Sequence, residues 1–368
     1  MAALEALVAL RAMAPGRIEP HLLSASEHFT YRPLQVGEPF GLGRAHRYAL
    51  PELAPALGAR FVHDAVSGVD PEARAVTMAG GGELGYDVLV VAVGARAHPA
   101  FEHGVSFDRE TSPDDVDDML HDIADQLAPR VAVVVPDGVT WPLPAYELAL
   151  LTAAWAPPGT AVTLVTHEPA PLALFGSAAS AAVARALDEG GVSVRCGVHA
   201  DVVTPTALRA GGAWLEADRI IALPRLSGPH VHGLPADAHG FLPVDAHGRV
   251  AGVEDVYAAG DGTTVSIKQG GLAAQQAEAV AVQLAVRSGA DTSVKPLRSV
   301  LRGVLRTRGG PLYLRAELHD PEGTSTASDQ PLWWPPSKIA SRWLAPHLAR
   351  LDAEAQSVGT FPSPRVVR

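Results

Sequence analysis

The chain has 368 residues, a length that predicts two domains and an appendage. Its formal net charge is −11, and its 47% hydrophobic and 19% charged residues are typical of a globular protein. The acidic balance excludes a general nucleic-acid partner, which needs a basic face, and the single cysteine, Cys196, excludes any mechanism that needs a cysteine pair within the chain. No run reaches the roughly 18 apolar residues of a membrane span, and the N-terminus lacks the basic region of a signal peptide, so we expect a cytoplasmic protein.

The N-terminal part predicts a helix, short strands and a hairpin. Residues 2–13 are rich in Ala and Leu and free of Gly and Pro, which indicates a helix, and an extended run follows at 19–24. Prolines interrupt 30–57, which favours loop structure, and 61–66 is extended. The glycines at 80–82 lie between short extended runs and no helix follows them, so we interpret them as a hairpin turn, not a phosphate loop.

The middle of the chain alternates strands with helices. Residues 87–93 (DVLVVAV) form a continuous apolar run that is typical of a strand buried on both faces. The elements predicted next are helix 113–127, strand 130–135, helix 145–156, strand 161–166, helix 177–189 and strand 192–195. This order predicts a doubly wound α/β domain. The run at 219–223 is then expected to return toward the first domain.

The last third contains the strongest functional signal. A predicted strand at 255–259 is followed by Gly260-Asp261-Gly262, then by Lys268-Gln269-Gly270-Gly271 and a helix over 271–287. An aspartate delivered by a glycine turn can accept hydrogen bonds from ligand hydroxyls, and a helix N-terminus beside a lysine suits negative charge. The alternative is an ordinary strand, turn and helix. A hairpin over 300–307 and 312–317 and a helix over 339–351 complete the prediction.

These motifs together resemble the FAD/NAD(P)-dependent pyridine nucleotide-disulfide oxidoreductase superfamily, in its sulfide:quinone oxidoreductase and type II NADH dehydrogenase-like branch. The similar segments are 31–33 (YRP), 86–95 (YDVLVVAVGA), 228–235, 240–245 (GFLPVD), 257–261 (YAAGD) and 268–276 (KQGGLAAQQ). The resemblance implies an α/β fold of two nested Rossmann-like dinucleotide-binding domains with a small C-terminal α+β domain. It implies boundaries of 1–110 and 223–290 for the FAD-binding domain, 111–222 for the second domain and 291–368 for the last.

The resemblance also implies a set of site residues. The cofactor-binding set is Asp261 for the ribitol, Gly260, Gly94, the backbone of Val66 for the adenine, Arg32, Pro33, Gly270 and Gly271. Catalytic positions near the isoalloxazine or the acceptor entrance are Lys268, Gln269 and Gln275, with Gln276 beside them; a polar helix face is the alternative for the glutamines. No metal site is expected, because His230 and His232 are the only closely spaced pair.

Three positions depart from the pattern of that family. Met1 falls just after the second glycine of the expected phosphate loop, and Ala3 takes the place of the third, so the first strand and the loop have no counterpart. The start then lies upstream, or FAD binds poorly. Ser24 replaces the ribose-binding acid, with Glu27 as a substitute. The second domain has 136–144 (PDGVTWPLP) where a glycine-rich turn is expected, which disfavours NAD(P)H as the direct donor.

The sequence therefore predicts an FAD-dependent oxidoreductase that passes electrons from an unidentified reductant to a quinone or similar acceptor. An NAD(P)H dehydrogenase of the type II kind and a non-catalytic scaffold that has lost FAD are the alternatives. Cys196 ends an apolar strand, which indicates a core thiol. Trp333, Trp334 and Trp343 could anchor the tail at the inner face of a membrane, which quinone chemistry would favour, or form a domain cap or a homodimer contact.

Overall fold

The computed structural model describes residues 1–108, 113–294, 298–319 and 324–351, which form a mixed α/β fold. The helices are α1 (Ala2–Met13), α2 (Leu50–Ala56), α3 (Pro113–Ala124), α4 (Leu143–Trp155), α5 (Ser177–Glu189), α6 (Gly270–Arg287) and α7 (Leu344–Leu351), with 3₁₀ turns at Arg32–Phe40 and Ala173–Phe175. The strands of the first half are β1 (His21–Ser24), β2 (His28–Thr30), β3 (Arg47–Ala49), β4 (Arg60–His63), β5 (Val66–Asp70), β6 (Ala75–Met78), β7 (Glu83–Gly85), β8 (Leu89–Val91), β9 (Arg96–His98), β10 (Val105–Ser106) and β11 (Arg130–Val135). Those of the second half are β12 (Ala161–Thr166), β13 (Val192–Arg195), β14 (Ala200–Val203), β15 (Ala207–Ala210), β16 (Ala213–Glu216), β17 (Arg219–Ala222), β18 (Arg225–Ser227), β19 (Val256–Ala258), β20 (Val300–Thr307), β21 (Gly310–Glu317) and β22 (Thr326–Ser328).

A five-stranded parallel sheet forms the second α/β unit, in the order β10-β17-β11-β12-β13. The predicted bounds of β11, β12 and β13 are confirmed. β11 and β12 are β-branched runs buried along most of their length, whereas β13 is the edge strand, with Ser193 and Arg195 exposed. The prediction that 219–223 returns toward the first domain was wrong, since β17 pairs in parallel with β11. The pair β10–β17 also brings Val105 and Ser106, which we predicted in the first FAD-binding segment, into this sheet.

Helix α4 lies at the centre of the core, between the five-stranded sheet and the C-terminal sheet β20-β21-β22. Its residues are apolar on every face, and ten of the thirteen are buried, as expected for a helix covered on all sides. The exception in this helix is Glu147, a charged residue with no exposed surface.

The first α/β unit differs from the continuous sheet that the sequence predicts. Its parallel strands form two separate pairs, β1–β4 and β8–β19, and the large cleft described below enters between β1 and β8. The strand predicted over 87–93 is shorter, Leu89–Val91, and Val93 is half exposed. An apolar run stays a strand only where a neighbouring strand satisfies its backbone, and β19 spans only three residues of it.

The prediction from the sequence missed or misplaced several other elements. The proline-rich segment 30–57 contains a 3₁₀ helix, β3 and α2. Pro33 and Pro51 lie at the second positions of their helices, where a proline is tolerated, and Pro39 and Pro55 lie inside these short helices. The three-stranded meander β14-β15-β16 was not predicted. Helix α7 begins at Leu344, not 339, because the Glu5 carboxylate accepts hydrogen bonds from the N–H groups of Trp343 and Leu344, at 2.9 and 2.7 Å, and fixes the first turn there. Across the described ranges, none of the helices combines the length and apolarity needed to cross a bilayer.

Candidate functional site

A cleft of about 2,030 Å³ runs between the first unit, the loop after β11 and the C-terminal segment. Sites for drug-sized ligands usually measure about 300–1,000 Å³, so the cleft has room for a dinucleotide and a second molecule. The glycine turn after β19, the end of β8 and the start of α6 all contribute to its wall. Of the cofactor-binding positions predicted, Asp261, Gly260, Gly94, Val66, Arg32, Pro33 and Gly270 line this one cleft.

The glycine turn brings three backbone segments into close contact. Gly260 has φ +91°, a conformation that favours glycine, and a Cβ added there would lie 3.5 Å from the Cβ atoms of Ala2 and Ala273. A Cβ on Gly262 would lie 2.9 Å from the carbonyl oxygen of Gly94. The two glycines thus let the turn pack closely against α1, α6 and Gly94, and Asp261 between them is half-buried and lines the cleft. A ligand that has several hydroxyl groups and lies close to the backbone fits this turn.

Lys268 lies in the same wall and has an unusual environment. Its ammonium lies 3.8 Å from the ring centroid of Phe241 and donates a hydrogen bond to the carbonyl of Thr263. Burial lowers the pKa of Lys268 to about 8, while the carboxylates of Asp261 and Asp237 oppose that shift. Lys268 is therefore a partly buried and mostly protonated cation near neutral pH. It would favour a negative group in the cleft.

The N-terminus of α6 points toward the cleft through Gly270. The N–H groups of Gly270 and Gly271 have no acceptor within the helix, since the first turn of any helix lacks one. The dipole of this 18-residue helix adds partial positive charge at the same end. Ala2 and Ala3, at the start of α1, line another part of the cleft. Both helix ends suit the acidic groups of a dinucleotide, so the chain's residues fit FAD.

The glutamines at and near the start of α6 form hydrogen bonds with backbone groups, and the catalytic role predicted for Gln269 and Gln275 stays a prediction. Gln269 is buried: its Oε1 accepts from the N–H of Leu272 at 2.8 Å and its Nε2 donates to the Arg302 carbonyl at 3.1 Å. Gln275 exchanges two hydrogen bonds, each of 2.9 Å, with the backbone of Val300. Gln276 accepts from the N–H of Gly260 at 2.8 Å. These side chains position backbone segments.

Gln275 and Gly271 are also absent from the residues that line the cleft. A Cβ on Gly271 would meet Gln269 and the Ala340 carbonyl, so that glycine allows a close contact between α6 and the C-terminal segment. The contact explains the glycine without a ligand. Glu27, the substitute acid, does not line the cleft either and lies 3.5 Å from His63.

A buried charge cluster that could not be predicted from the sequence lies beside the start of α6, where Ile339, the residue after Lys338, packs against Gly270. Glu147 on α4 accepts a hydrogen bond from Arg306 on β20 at 3.1 Å and another from Lys338 in the C-terminal segment. The three side chains are at most 4% exposed, yet Glu147 and Lys338 reach the cleft wall. Burial lowers the pKa of Lys338 to about 8. The three positions are remote in sequence, so no spacing could reveal them.

The wall around this cluster is apolar. Trp141, Leu143, Val304 and Ile339 line the cleft near Lys338 and Glu147, and Ile339 packs against Gly270 at the start of α6. A Cβ on Gly270 would lie 2.7 Å from Ile339, so this glycine is needed for the contact. An apolar wall with one buried ammonium suits a flat, weakly polar molecule that accepts a proton.

The turn that precedes α4 carries few hydrogen-bond donors. Pro142 is the N-cap of α4 and Pro144 occupies its second position, so both lack an N–H, and the N–H of Ala145 already donates to the Pro142 carbonyl. Trp141 packs on Phe175 with ring centroids 5.9 Å apart. This helix end cannot hold a pyrophosphate as a glycine-rich turn does.

Cys196 is partly exposed at the end of β13, where we predicted a core thiol. Burial and the nearby Glu168 carboxylate raise the pKa of its thiol, which makes it a weak nucleophile. Within the described ranges, no three His, Cys, Asp or Glu side chains are placed to bind a metal ion.

Comparison with known proteins gives a family and several relatives. Residues 19–278 match the family model of pyridine nucleotide-disulphide oxidoreductases. The NADH dehydrogenase-like protein MT1860 of Mycobacterium tuberculosis (strain CDC 1551 / Oshkosh) is 30% identical over 233 residues, which are 59% of this chain and 58% of that protein. The chain thus matches little more than half of that relative's length. NADH dehydrogenase-like protein Rv1812c of another strain matches equally.

Solved structures share the fold at low sequence identity. The sulfide:quinone oxidoreductase of Aquifex aeolicus superposes with a TM-score of 0.75 at 18% identity, covering 89% of this chain and 85% of that one. A ferredoxin reductase of Rhodopseudomonas palustris gives a TM-score of 0.63 at 19% identity, covering 86% and 80%. These likenesses establish an FAD/NAD oxidoreductase type of fold.

Proposed function

Because the chain belongs to the pyridine nucleotide-disulphide oxidoreductase family, we propose that it is an FAD-dependent oxidoreductase that passes electrons to a quinone or similar acceptor. Members of this family use FAD, with NAD(P)H as a substrate. The observation that carries the proposal is a single cleft with a polar end at the glycine turn and an apolar end at Glu147 and Lys338, which adjoin each other where Ile339 packs against Gly270. The first suits a dinucleotide and the second suits a flat, proton-accepting molecule.

The residues of the polar end would bind and orient FAD. The Asp261 carboxylate would accept hydrogen bonds from ribitol hydroxyls, while Gly94, where an added Cβ would meet no other atom within 4 Å, would let the cofactor lie close. The N–H group of Gly270 and the ammonium of Lys268 would face the pyrimidine edge. When bound, FAD supplies a two-electron redox centre. Positive charge beside it would stabilise the reduced, anionic form.

The residues of the apolar end would handle the acceptor and its protons. Reduction of a quinone to a quinol takes two electrons and two protons, so a proton donor near the acceptor is needed. Lys338, with a pKa of about 8, can release a proton near neutral pH, and Glu147 holds its ammonium in place. Trp141, Leu143 and Ile339 would exclude water from the acceptor.

An NAD(P)H dehydrogenase is the second candidate, and the printed names of the curated relatives favour it. The donor-poor turn at Pro142 and Pro144 weighs against tight binding of NAD(P)H at the second sheet. The single cysteine also leaves no cysteine pair in this chain for sulfide chemistry, although a sulfide:quinone oxidoreductase shares the fold. The electron donor is therefore the open part of the proposal.

Flavin content and flavin kinetics test the proposal. The purified protein should show flavin absorption after incubation with FAD, and Asp261→Ala should lose it while keeping its far-UV circular dichroism. Asp188→Ala, an exposed aspartate on α5, is the matched control and should keep the flavin. Rapid reoxidation of the photoreduced protein by a soluble quinone is expected. Rapid, saturable bleaching by NADH would favour the dehydrogenase, and absence of flavin from the unmodified protein would favour a scaffold.

A further inference from the structure

The side chain of Arg302 on β20 is partly buried and has an unusual environment for an arginine. Its guanidinium makes no hydrogen bond and no ion pair with any residue in the described ranges, and its Nε is shielded from solvent without a partner. Buried charged donors normally find acceptors, because an unpaired one costs more than an ordinary hydrogen bond returns. A missing partner at this position therefore calls for a physical explanation.

The strand register makes the position still less favourable. Arg302 lies directly opposite Arg315 in the antiparallel pair β20–β21, and like charges in that relation destabilise a sheet. Burial and the charge of Arg315 lower the pKa of Arg302. Arg315 itself is partly neutralised, since it donates to Glu317 at 2.6 Å. The positive charge of Arg302 is left without a counterion in contact.

Two carboxylates lie nearby but do not contact the Arg302 guanidinium. Glu278 on α6 and Glu317 on β21 both act on Arg302 through space. Burial, together with the neighbouring carboxyl group of Glu5, raises the pKa of Glu278 to about 7. Glu278 is therefore only partly ionised near neutral pH. The two arginines therefore present an excess of positive charge between α6 and the outer face of the C-terminal sheet.

We propose that Arg302 and Arg315 together bind a phosphate group. A guanidinium offers its N–H donors in planar pairs that match the oxygens of carboxylates and phosphates. Glu317 already occupies one edge of Arg315, and a carboxylate has only two oxygens to share between two guanidinia. A tetrahedral phosphate has enough oxygens to serve both, and its charge would neutralise the opposed pair. The inference does not depend on the proposed redox function.

The surroundings suggest two sources for this phosphate. Tyr313 lies on the same face of β21 as Arg315, and Trp333 packs against it with ring centroids 5.2 Å apart. The next residue, Trp334, is 84% exposed. Aromatic residues beside arginines are suited to the headgroup region of a membrane. The phosphate could thus belong to an anionic phospholipid or to a soluble molecule, and the test separates them.

Calorimetric titration with inorganic phosphate and sedimentation with vesicles test the proposal on the full chain. Vesicles of phosphatidylcholine alone are compared with vesicles that also contain phosphatidylglycerol. Arg302→Gln should weaken phosphate or vesicle binding at least tenfold. Arg308→Gln, in the exposed turn between the same two strands, should bind like the unmodified protein. Binding to inorganic phosphate indicates a soluble ligand, and binding to phosphatidylglycerol vesicles alone indicates the lipid.

A stability measurement guards against a merely structural role for Arg302. If the guanidinium is strained by Arg315, Arg302→Gln should melt at the same or a higher temperature in phosphate-free buffer. It should also lose the rise in melting temperature that phosphate gives the unmodified protein. The proposal is overturned if Arg302→Gln retains full affinity, or if the unmodified protein binds neither probe.

Discussion

Removing the negative charge of Glu147 should destabilise the protein severely. The side chain has no exposed surface, and its two cationic partners, Arg306 and Lys338, are 2% and 4% exposed. Glu147→Gln keeps the shape of the side chain but removes the carboxylate that both buried cations contact. Breaking a buried ion pair in this way costs about 3–5 kcal/mol, and we expect a loss at or above the top of that range because two cations lose one anion.

The free energy of unfolding, measured by urea titration at pH 7, is the assay. A domain of ordinary stability has about 5–15 kcal/mol in total, so Glu147→Gln should leave a marginal protein. The triple variant Glu147→Leu, Arg306→Met, Lys338→Met is the matched control. Because it removes the desolvated charges together, its stability should lie close to that of the unmodified protein.

A loss of less than about 1 kcal/mol for Glu147→Gln would refute the reasoning, since it would mean that water or another anion reaches the cluster. A triple variant as unstable as the single one would locate the effect in packing. Both measurements concern folding alone, so they stand whether or not the protein binds a flavin.

Two further predictions follow from the titratable groups. Burial beside Glu5 raises the pKa of Glu278 from 4.5 to about 7. Between these two pH values the folded state binds more protons than the unfolded state. The free energy of unfolding should therefore fall as the pH rises from about 4.5 to about 7. Glu278→Gln should flatten this part of the plot of unfolding free energy against pH. Glu189→Gln, an exposed control on α5, should leave the plot unchanged. An unaltered slope in Glu278→Gln would assign the pH dependence to another group. Lys268→Met should lower the midpoint potential of bound FAD by about 30 mV, the two-electron equivalent of about 1.4 kcal/mol, in an anaerobic redox titration; an unchanged potential would place the ammonium away from the flavin.

The sequence predicts well those elements whose surroundings are uniform. The strands 130–135, 161–166 and 192–195 and the helices 2–13 and 177–189 have the predicted bounds, because each has a clear apolar pattern within a regular alternation of strands and helices. The run 87–93 has an equally strong pattern but becomes a strand over only three residues. Strand length there depends on which neighbour lies alongside, and a pattern carries no information about neighbours.

Part of the candidate site could be predicted from the sequence, and part could not. The glycine turn at Gly260 and Asp261 and the lysine that follows lie within one short segment, so local spacing reveals them. The cluster of Glu147, Arg306 and Lys338 depends on a helix, a strand and a tail that meet only in the folded chain. Amide side chains suit ligands and backbone groups equally well, so the sequence could not show the hydrogen bonds that Gln269, Gln275 and Gln276 form with the backbone of the folded chain.

The two hydrogen bonds of Gln269 have a consequence for communication within the molecule. One amide group caps the helix that faces the cleft and also binds the carbonyl of Arg302, the residue at the proposed phosphate site. A ligand that shifts the backbone at Arg302 would alter the first turn of α6, and a cofactor that tightens this turn would act in reverse. Thermodynamic linkage requires that any such effect on affinity be equal in both directions. The flavin affinity measured with and without phosphate would then report a coupling free energy that runs through a single side chain.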